Sequence, residues 1–226
     1  MNEGLLKYTL DERVEAFTAG VNASLPYDVI LGNQVHDIKV AVIKSKDPDP
    51  ESLKGIDSLI TDIKGVAIGV KTADCLPILI FDPNRQVIAA VHAGWKGTAR
   101  RIVCSTISQM MNEYHSMPED MKVMIGPSIS KDSFQVGEEV AMNFKDLGFP
   151  IDKVYSWNGP VVKGKCVTGH HIDLVAANVW LLEMSGVRKM NIQTCGIDTF
   201  TDGSLYSARR DGMDCGRNIT AIQLKP

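Results

Sequence analysis

Three residues with metal-binding side chains stand out in this sequence. His36 ends the segment NQVH, Cys75 ends TADC, and His92 begins HAGWKG. Two imidazoles and one thiolate are a good ligand set for Zn²⁺, and copper also binds such sites. Three protein ligands leave a fourth coordination position open for water. Spacing alone does not establish the site, because an isolated cysteine or histidine is also typical of a protein core.

The glycines and cations around the third segment predict an anion site beside these ligands. Gly94 and Gly97 permit close approach of the backbone, and the helix predicted to follow them offers free N–H groups. Lys96 and Arg100 add positive charge to the same stretch. Near the C-terminus, Arg209 belongs to a pair of arginines before Asp-Gly, a pattern suited to clamping a phosphate or to an internal ion pair.

The pattern of apolar residues predicts the elements that hold these segments. Short apolar runs at residues 65–70, 77–81 and 86–91 predict buried strands of one sheet. Residues 35–43 partly alternate, as a half-buried strand does. Each candidate ligand lies at the edge of one of these strands, where a rigid scaffold still exposes a side chain.

The remaining elements indicate the fold class. Three- and four-residue steps of apolar side chains predict helices at residues 98–114, 134–144 and 173–184, the last with Asp173 as its N-cap. Further strands are predicted at residues 122–125, at Ile192 and at 219–224, and surface loops at 44–53 and 156–170. Together these elements predict a single α/β domain, residues 1–226, with a mixed sheet and flanking helices.

The composition excludes several classes of protein. The 226 residues are 44% apolar and 23% charged, which is ordinary for a globular chain and excludes disorder and fibrous repeats. A net charge of −3 is too balanced for binding nucleic acid by charge alone. No apolar run reaches the roughly 18 residues of a membrane span. Five scattered cysteines and an acidic N-terminal stretch predict a cytoplasmic protein with reduced thiols.

Other catalytic motifs are absent from the sequence. The stretch GPVVKGKC at residues 159–166 nearly spells a phosphate-binding loop, but Cys166 replaces the Ser or Thr that holds Mg²⁺, and no amphipathic helix follows. The sequence contains neither HExxH nor GxGxxG after a strand, and it lacks the signature of the zinc deaminases. The three metal-ligand candidates therefore remain the strongest chemical signal.

At these segments the chain resembles a known family, the YfiH-like proteins, which are labelled multicopper polyphenol oxidases or laccase-domain proteins and also purine nucleoside phosphorylases. The matching segments run in family order from about residue 33 to the C-terminus: QVH at 34–36, TADCLP at 72–77, HAGWKG at 92–97, IGP at 125–127, FQVGEEV at 134–140, DL at 173–174, RRD at 209–211 and GR at 216–217. The TADC and HAGW segments together are highly specific to this family.

The resemblance implies a single α/β domain in which His36, Cys75 and His92 bind zinc. It also implies phosphorolysis of adenosine, inosine or S-methyl-5′-thioadenosine to a free base and a ribose 1-phosphate, with adenosine deamination as a side activity. Cys75 and His92 are then catalytic as well as metal-binding. Asp74 is expected to relay protons or orient a ligand, with a buried structural carboxylate as the alternative.

The expected partners are therefore a small nucleoside and phosphate, with neither nucleic acid nor a membrane. A cationic pocket holds phosphate against the anomeric carbon, where an oxocarbenium-like transition state develops. A water activated by zinc attacks purine C6 and displaces ammonia. We assign substrate and phosphate binding to four residues, Gln34, Lys96, Arg100 and Arg209.

Three other functions stay open on the sequence. Copper-dependent phenol oxidation fits a Cys and His site, although a laccase needs a multinuclear cluster of many histidines and this chain has five. A thiol hydrolase uses Cys75 as its nucleophile and His92 as the base. A metal- or nucleotide-binding module uses the same residues without turnover.

Overall fold

The computed structural model describes residues 4–162 and 165–226, and their side chains outside 158–167. The near-match to a phosphate-binding loop at residues 159–166 lies outside the described side chains. The strands are β1 (Leu5–Tyr8), β2 (Val14–Ala19), β3 (Val29–Leu31), β4 (Val40–Val42), β5 (Ser58–Thr61), β6 (Ala67–Thr72), β7 (Leu76–Asp82), β8 (Val87–Ala93), β9 (Lys122–Ile125), β10 (Gln135–Val136), β11 (Tyr155–Val162), β12 (Lys165–Ile172), β13 (Ile192–Thr194) and β14 (Asn218–Leu224). The helices are α1 (Trp95–Ala99), α2 (Ile102–Tyr114), α3 (Glu138–Asp146), α4 (Ile151–Val154), α5 (Leu174–Met184) and α6 (Ala208–Asp211), with 3₁₀ turns at Pro50–Leu53, Pro118–Asp120 and Lys189–Asn191.

In the part of the chain just given, the strands form three sheets. The orders are β13-β9-β7-β8-β5-β4, β1-β2-β14-β6-β3 and β10-β12-β11. The pairs β13–β9, β4–β5 and β3–β6 are parallel, whereas the other pairs are antiparallel. This mixed pairing, with helices packed around it, confirms the predicted α/β class with a mixed sheet and flanking helices.

The six-stranded sheet is the middle layer of the fold. On β7, Ile78 and Ile80 face a core that includes Ile102 of α2, whereas Leu79 and Phe81 face the five-stranded sheet. The prediction that residues 65–70 belong to the same sheet as β7 and β8 is wrong, because β6 lies in the five-stranded sheet. A continuous apolar run reports burial on both faces of a strand, and it does not report which strand is the hydrogen-bonding neighbour.

The predicted helix at residues 98–114 is two helices. Arg101 separates α1 from α2, and its backbone is left-handed, with φ of 66°. Such a residue cannot continue a right-handed helix, although the apolar spacing on both sides stays helical. Similarly, the predicted helix at 134–144 begins only at Glu138, because Gln135 and Val136 pair with β12 instead.

One predicted loop and one predicted strand also differ from the structure. Residues 156–170, predicted as a loop, belong largely to the paired strands β11 and β12, whose register shifts accommodate their Gly and Pro content. Of the strand predicted at residues 35–43, only β4 forms, and the preceding residues make a loop that contains His36.

The N-cap at Asp173 is confirmed, since its carboxylate accepts the N–H of Ala176. None of the described helices is both long and apolar enough to cross a bilayer.

Candidate metal centre and its pocket

The three predicted metal ligands meet in space. The Sγ atom of Cys75 lies 3.6 Å from Nε2 of His36, and the rings of His36 and His92 pack edge to face with centroids 4.8 Å apart. One donor atom from each residue lies within 4.8 Å of the others. Because His92 is buried and His36 is exposed, the cluster has one side in the protein and one side open to solvent.

The strands explain how these residues converge. Pro77 pairs with His92 across β7 and β8, so Cys75, two residues before Pro77, lies beside the end of β8. His36 comes from the loop between β3 and β4, where its φ is +62°. A positive φ costs free energy for a residue with a side chain, and such strain is typical of functional sites.

The distance between Cys75 and His36 fits two ligands of a tetrahedral metal ion. With a Zn–S distance of about 2.3 Å and a Zn–N distance of about 2.0–2.1 Å, two ligands at the tetrahedral angle lie about 3.6 Å apart. The separation between Cys75 and His36 is 3.6 Å. One thiolate and two imidazoles suit zinc and also accept copper, and three ligands leave one position for a substrate atom or water.

Asp57, which the sequence analysis did not single out, holds two of the three ligands in place. Its carboxylate accepts the Nδ1–H of His92 at 2.7 Å and the backbone N–H groups of Val35, His36 and Asp37 at 3.0 Å. Burial opposes ionisation of Asp57, but these hydrogen bonds keep the pKa of its carboxyl below the usual value. Donation from Nδ1 leaves the Nε2 lone pair of His92 available for a metal.

Without a metal, Cys75 and His92 form a thiolate–imidazolium pair. Burial raises the pKa of the Cys75 thiol, but hydrogen bonds and charge from His36 and His92 outweigh it and lower the pKa to about 6. Burial lowers the pKa of His92, but Asp57 and Cys75 outweigh it and raise the pKa to about 9. Between about pH 6 and pH 9 the pair is therefore charged, and metal binding releases the imidazolium proton.

In metal-free protein, the rate of Cys75 alkylation by iodoacetamide should rise as the pH increases through about 6 and then level off. The thiolate is the nucleophile, so the rate follows its fraction. The His92→Ala variant should move the midpoint upward, toward the ordinary value of about 8.5. Mass spectrometry of the digested protein gives the rate, with Cys195, whose pKa burial raises, as the internal control. A wild-type midpoint for Cys75 near 8.5 contradicts this electrostatic account.

Gly94 packs closely against two of the candidate metal ligands. A Cβ at this position would lie 3.0 Å from Sγ of Cys75 and 3.0 Å from Cδ2 of His36. Gly94→Ala should therefore displace both ligands and weaken zinc binding about 10-fold or more. Gly97→Ala is the matched control, since its Cβ would meet Ile102 at an ordinary 3.4 Å. Competition with a chromophoric chelator measures both affinities, and equal affinities would rule out this packing argument.

The cluster lies in a pocket of about 500 Å³, a volume typical of small-molecule sites. The loop before β4, the β6–β7 loop and the chain around α6 form its walls. Trp95 and Phe134 supply aromatic surface, and Lys71, Arg209 and Arg217 supply positive charge. The pocket can therefore present the candidate metal-ligand cluster, flat aromatic surface and positive charge to one bound molecule.

Asp74 lines this pocket and also forms hydrogen bonds to Thr199 and to Arg209, which lines the pocket as well. One carboxylate oxygen accepts the hydroxyl of Thr199 at 2.6 Å, and the other accepts the backbone N–H of Arg209 at 2.7 Å. Its φ of 85° is another strained backbone angle at the site. Since both oxygens already accept hydrogen bonds from the chain, the geometry gives Asp74 a positioning role for Arg209.

Two of the predicted substrate contacts, Gln34 and Arg209, line the pocket. The side-chain amide of Gln34 donates to the backbone carbonyl of Lys71 and accepts its N–H, both at 2.8 Å. The guanidinium of Arg209 donates to the carbonyl of Gln135 at 3.0 Å and lies 5.6 Å from the ring centroid of Phe134. Gln34 therefore positions Lys71, a cation that the sequence analysis missed.

The other two predicted contacts, Lys96 and Arg100, do not line the pocket. The Nζ atom of Lys96 lies 5.6 Å from the ring centroid of Trp95, and Arg100 forms an ion pair with Asp37 at 2.5 Å. Residues four apart share one helix face, and here that face is exposed while the residues between them are buried. The cations that the structure brings to the pocket besides Arg209 are Lys71 and Arg217.

Comparisons with known proteins match the chain over almost its whole length. A family model described as multi-copper polyphenol oxidoreductase laccase matches residues 8–225. Adenosine deaminase RL5 from an unknown prokaryotic organism is 36% identical over 207 residues, which cover 88% of this chain and 76% of that protein. A purine nucleoside phosphorylase from Bacteroides thetaiotaomicron is 34% identical over 209 residues, which cover 89% and 75%.

A solved structure shows the same fold. The crystal structure of the Bacillus licheniformis hypothetical protein YfiH has a TM-score of 0.86 to this chain at 23% identity, covering 98% of this chain and 97% of that one. The chain belongs to the multi-copper polyphenol oxidoreductase laccase family, the YfiH-like proteins, as its sequence segments predicted.

Proposed function

We propose that the protein is a zinc-dependent purine nucleoside phosphorylase that acts on adenosine, inosine and S-methyl-5′-thioadenosine, with adenosine deamination as a second activity. The observation that carries this proposal is the convergence of His36, Cys75 and His92 in a cation-lined pocket of about 500 Å³. Relatives named for purine nucleoside phosphorylase and for adenosine deaminase support it.

The proposed main reaction replaces the bond between ribose C1′ and the base with a bond between C1′ and phosphate. An oxygen of phosphate forms a bond to C1′ while the C1′–N9 bond breaks. The electron pair of that bond goes to N9, and the base takes up a proton from the medium. The products are the free base and ribose 1-phosphate. The ribose carries positive charge in the transition state, so a phosphate already held beside C1′ lowers the barrier by proximity and charge.

The chain's own residues prepare the pocket for this chemistry. Asp57 holds His92 with its Nε2 lone pair available, and Asp74 and Gln34 place Arg209 and Lys71 at the pocket. When bound by the three ligands, a divalent cation supplies a Lewis acid that polarises a substrate atom or water. In the deamination, a water oxygen adds to C6 and the C6–N bond breaks. The amino group leaves as ammonia with one proton of that water, and the other proton goes to N1.

The proposal is tested by substrate profiling of the zinc-loaded protein. Each of the three nucleosides is incubated with and without inorganic phosphate, and the products are separated by liquid chromatography. We expect free base and a ribose 1-phosphate only when phosphate is present, and loss of that activity after chelation. Base release without phosphate indicates a hydrolase, deamination alone indicates a deaminase, and no turnover indicates a binding module. Each of those three results would overturn the proposal.

A second candidate, a cysteine hydrolase, is favoured by one observation. Cys75, His92 and Asp57 form a thiolate, imidazole and carboxylate series, and the low pKa of Cys75 suits a nucleophile. A nucleophilic role and a zinc-ligand role exclude each other in the same molecule. Stoichiometric zinc that protects Cys75 from alkylation while activity is present counts against the hydrolase, whereas amide hydrolysis by the chelator-treated protein supports it.

Copper-dependent phenol oxidation is the third candidate, and the description of the family model is its support. A laccase needs a multinuclear cluster, but among the residues whose side chains the structure describes, 4–157 and 168–226, one group of candidate ligands comes together, and it uses two of the five histidines. Metal analysis of protein purified without added copper, alongside a phenol-oxidation assay, separates the two functions. We expect zinc and no phenol oxidation.

A further inference from the structure

Three cations line the pocket without a carboxylate partner. Lys71, Arg209 and Arg217 take part in no ion pair among the residues that the structure describes. The described lining contains one carboxylate, Asp74, whose oxygens accept the hydroxyl of Thr199 and the backbone N–H of Arg209. The three cations at the pocket therefore outnumber its one carboxylate, which favours an anionic ligand.

Neutral groups hold the two guanidinium groups in place. Arg217 donates to the backbone carbonyls of Met213 at 2.8 Å and Gly216 at 3.0 Å. Arg209 donates through two nitrogens to the carbonyl of Gln135, both at 3.0 Å. Carbonyl oxygens orient a guanidinium and leave its charge intact, so both groups are fixed in position before a ligand arrives.

Strand pairing brings Lys71 close to Arg217. Lys71 pairs with Ile219 across β6 and β14, and Arg217 lies two residues before Ile219. Arg217 comes just before the first residue of β14, and both Lys71 and Arg217 line the pocket. Gln34 binds both the N–H and the carbonyl of Lys71, which fixes the base of its side chain.

We propose that Lys71 and Arg217, together with Arg209, bind inorganic phosphate beside the metal ligands, and that Lys96 and Arg100 do not. This inference rests on the proposed function, in which phosphate is the nucleophile. Arginine and lysine form charge-assisted hydrogen bonds to phosphate oxygens, and Arg209 and Arg217 are already oriented for them. The shared pocket then places the phosphate next to the substrate carbon that it attacks.

Binding of inorganic phosphate to the zinc-loaded protein tests this site without any turnover. By titration calorimetry, Lys71→Ala and Arg217→Ala should each weaken phosphate binding about 10- to 100-fold. Lys71→Arg should recover most of the affinity, because it restores the charge. Lys64→Ala is the matched control, since Lys64 is exposed just before the other end of β6. Metal analysis of each variant should show unchanged zinc.

The phosphate KM in the coupled reaction gives the second measurement. It should rise in Lys71→Ala and Arg217→Ala, with little change in the nucleoside KM. Loss of phosphate binding in Lys96→Ala instead, or no binding to the wild type, would overturn the site. Phosphate binding that depends on Lys71 and Arg217 without nucleoside turnover supports the site and refutes the proposed function. Turnover with an unchanged phosphate KM in both variants supports that function and refutes the site.

Discussion

Phosphate-dependent release of base should fall by about 10³-fold or more in Cys75→Ala and in His92→Ala. Each variant removes one of three ligands, and a catalytic metal supplies several kcal/mol of transition-state stabilisation, which corresponds to a loss of this size. The expected cause is loss of zinc, so metal content should fall with activity. The initial rate at saturating phosphate and the zinc content of the same samples are the two measurements.

Two further variants control for loss of a cysteine or histidine elsewhere. Cys104 is partly buried and packs against the main core, away from the cluster, and Cys104→Ala should keep both zinc and activity. His115 directly follows α2 and has a φ of 55°, a conformation that asparagine tolerates, so His115→Asn should also keep both zinc and activity. If Cys75→Ala retained zinc and full activity, the metal centre would be wrong.

The Cys75→Asp variant separates a ligand from a nucleophile. A carboxylate also binds zinc, so this variant should keep bound metal and measurable phosphorolysis if Cys75 is a ligand. A zinc-loaded Cys75→Asp protein with no detectable turnover would instead indicate that the thiolate attacks the substrate. Because the protein side of the cluster is otherwise unchanged, the comparison concerns the chemistry of residue 75 alone.

The three candidate metal ligands could be picked out from the sequence because each occurs in a short, distinctive segment next to a predicted strand. His36, Cys75 and His92 carry distinctive side chains, and the strands β7 and β8 are evident as continuous apolar runs. Strand pairing then places Cys75 beside His92 without any further signal. The sequence could not show the 3.6 Å separation of His36 from Cys75, which depends on the folded loop before β4.

The cations around the pocket show the limit of reasoning from closeness along the chain. Lys96 and Arg100 lie close to His92 along the chain, which predicts that they reach the pocket, but both are exposed and neither lines it. Lys71 and Arg217 are far apart in sequence and come together through the pairing of β6 with β14. Proximity along the chain predicts proximity in space only when the local element turns the side chain toward the site.

Asp57→Asn should lower zinc affinity about 10- to 100-fold and lower the free energy of unfolding of the metal-free protein by about 3–5 kcal/mol. The carboxylate accepts four hydrogen bonds, from three backbone N–H groups and from His92. Asparagine removes the charge and places an N–H₂ donor against groups that are donors themselves. His92 can then carry its proton on Nε2, which is the atom that the metal requires.

Asp198→Asn is the matched control for this prediction. Asp198 is a less buried carboxylate that also accepts backbone N–H groups, from Ser130 and Phe200, but it accepts none from the candidate metal ligands. Its replacement should cost stability in urea denaturation and leave zinc affinity unchanged. If both variants lost zinc equally, general loosening of the fold would explain the effect and Asp57 would have no positioning role. A loss confined to Asp57→Asn shows that one buried carboxylate couples the His36 loop to the His92 strand, which no spacing in the sequence reveals.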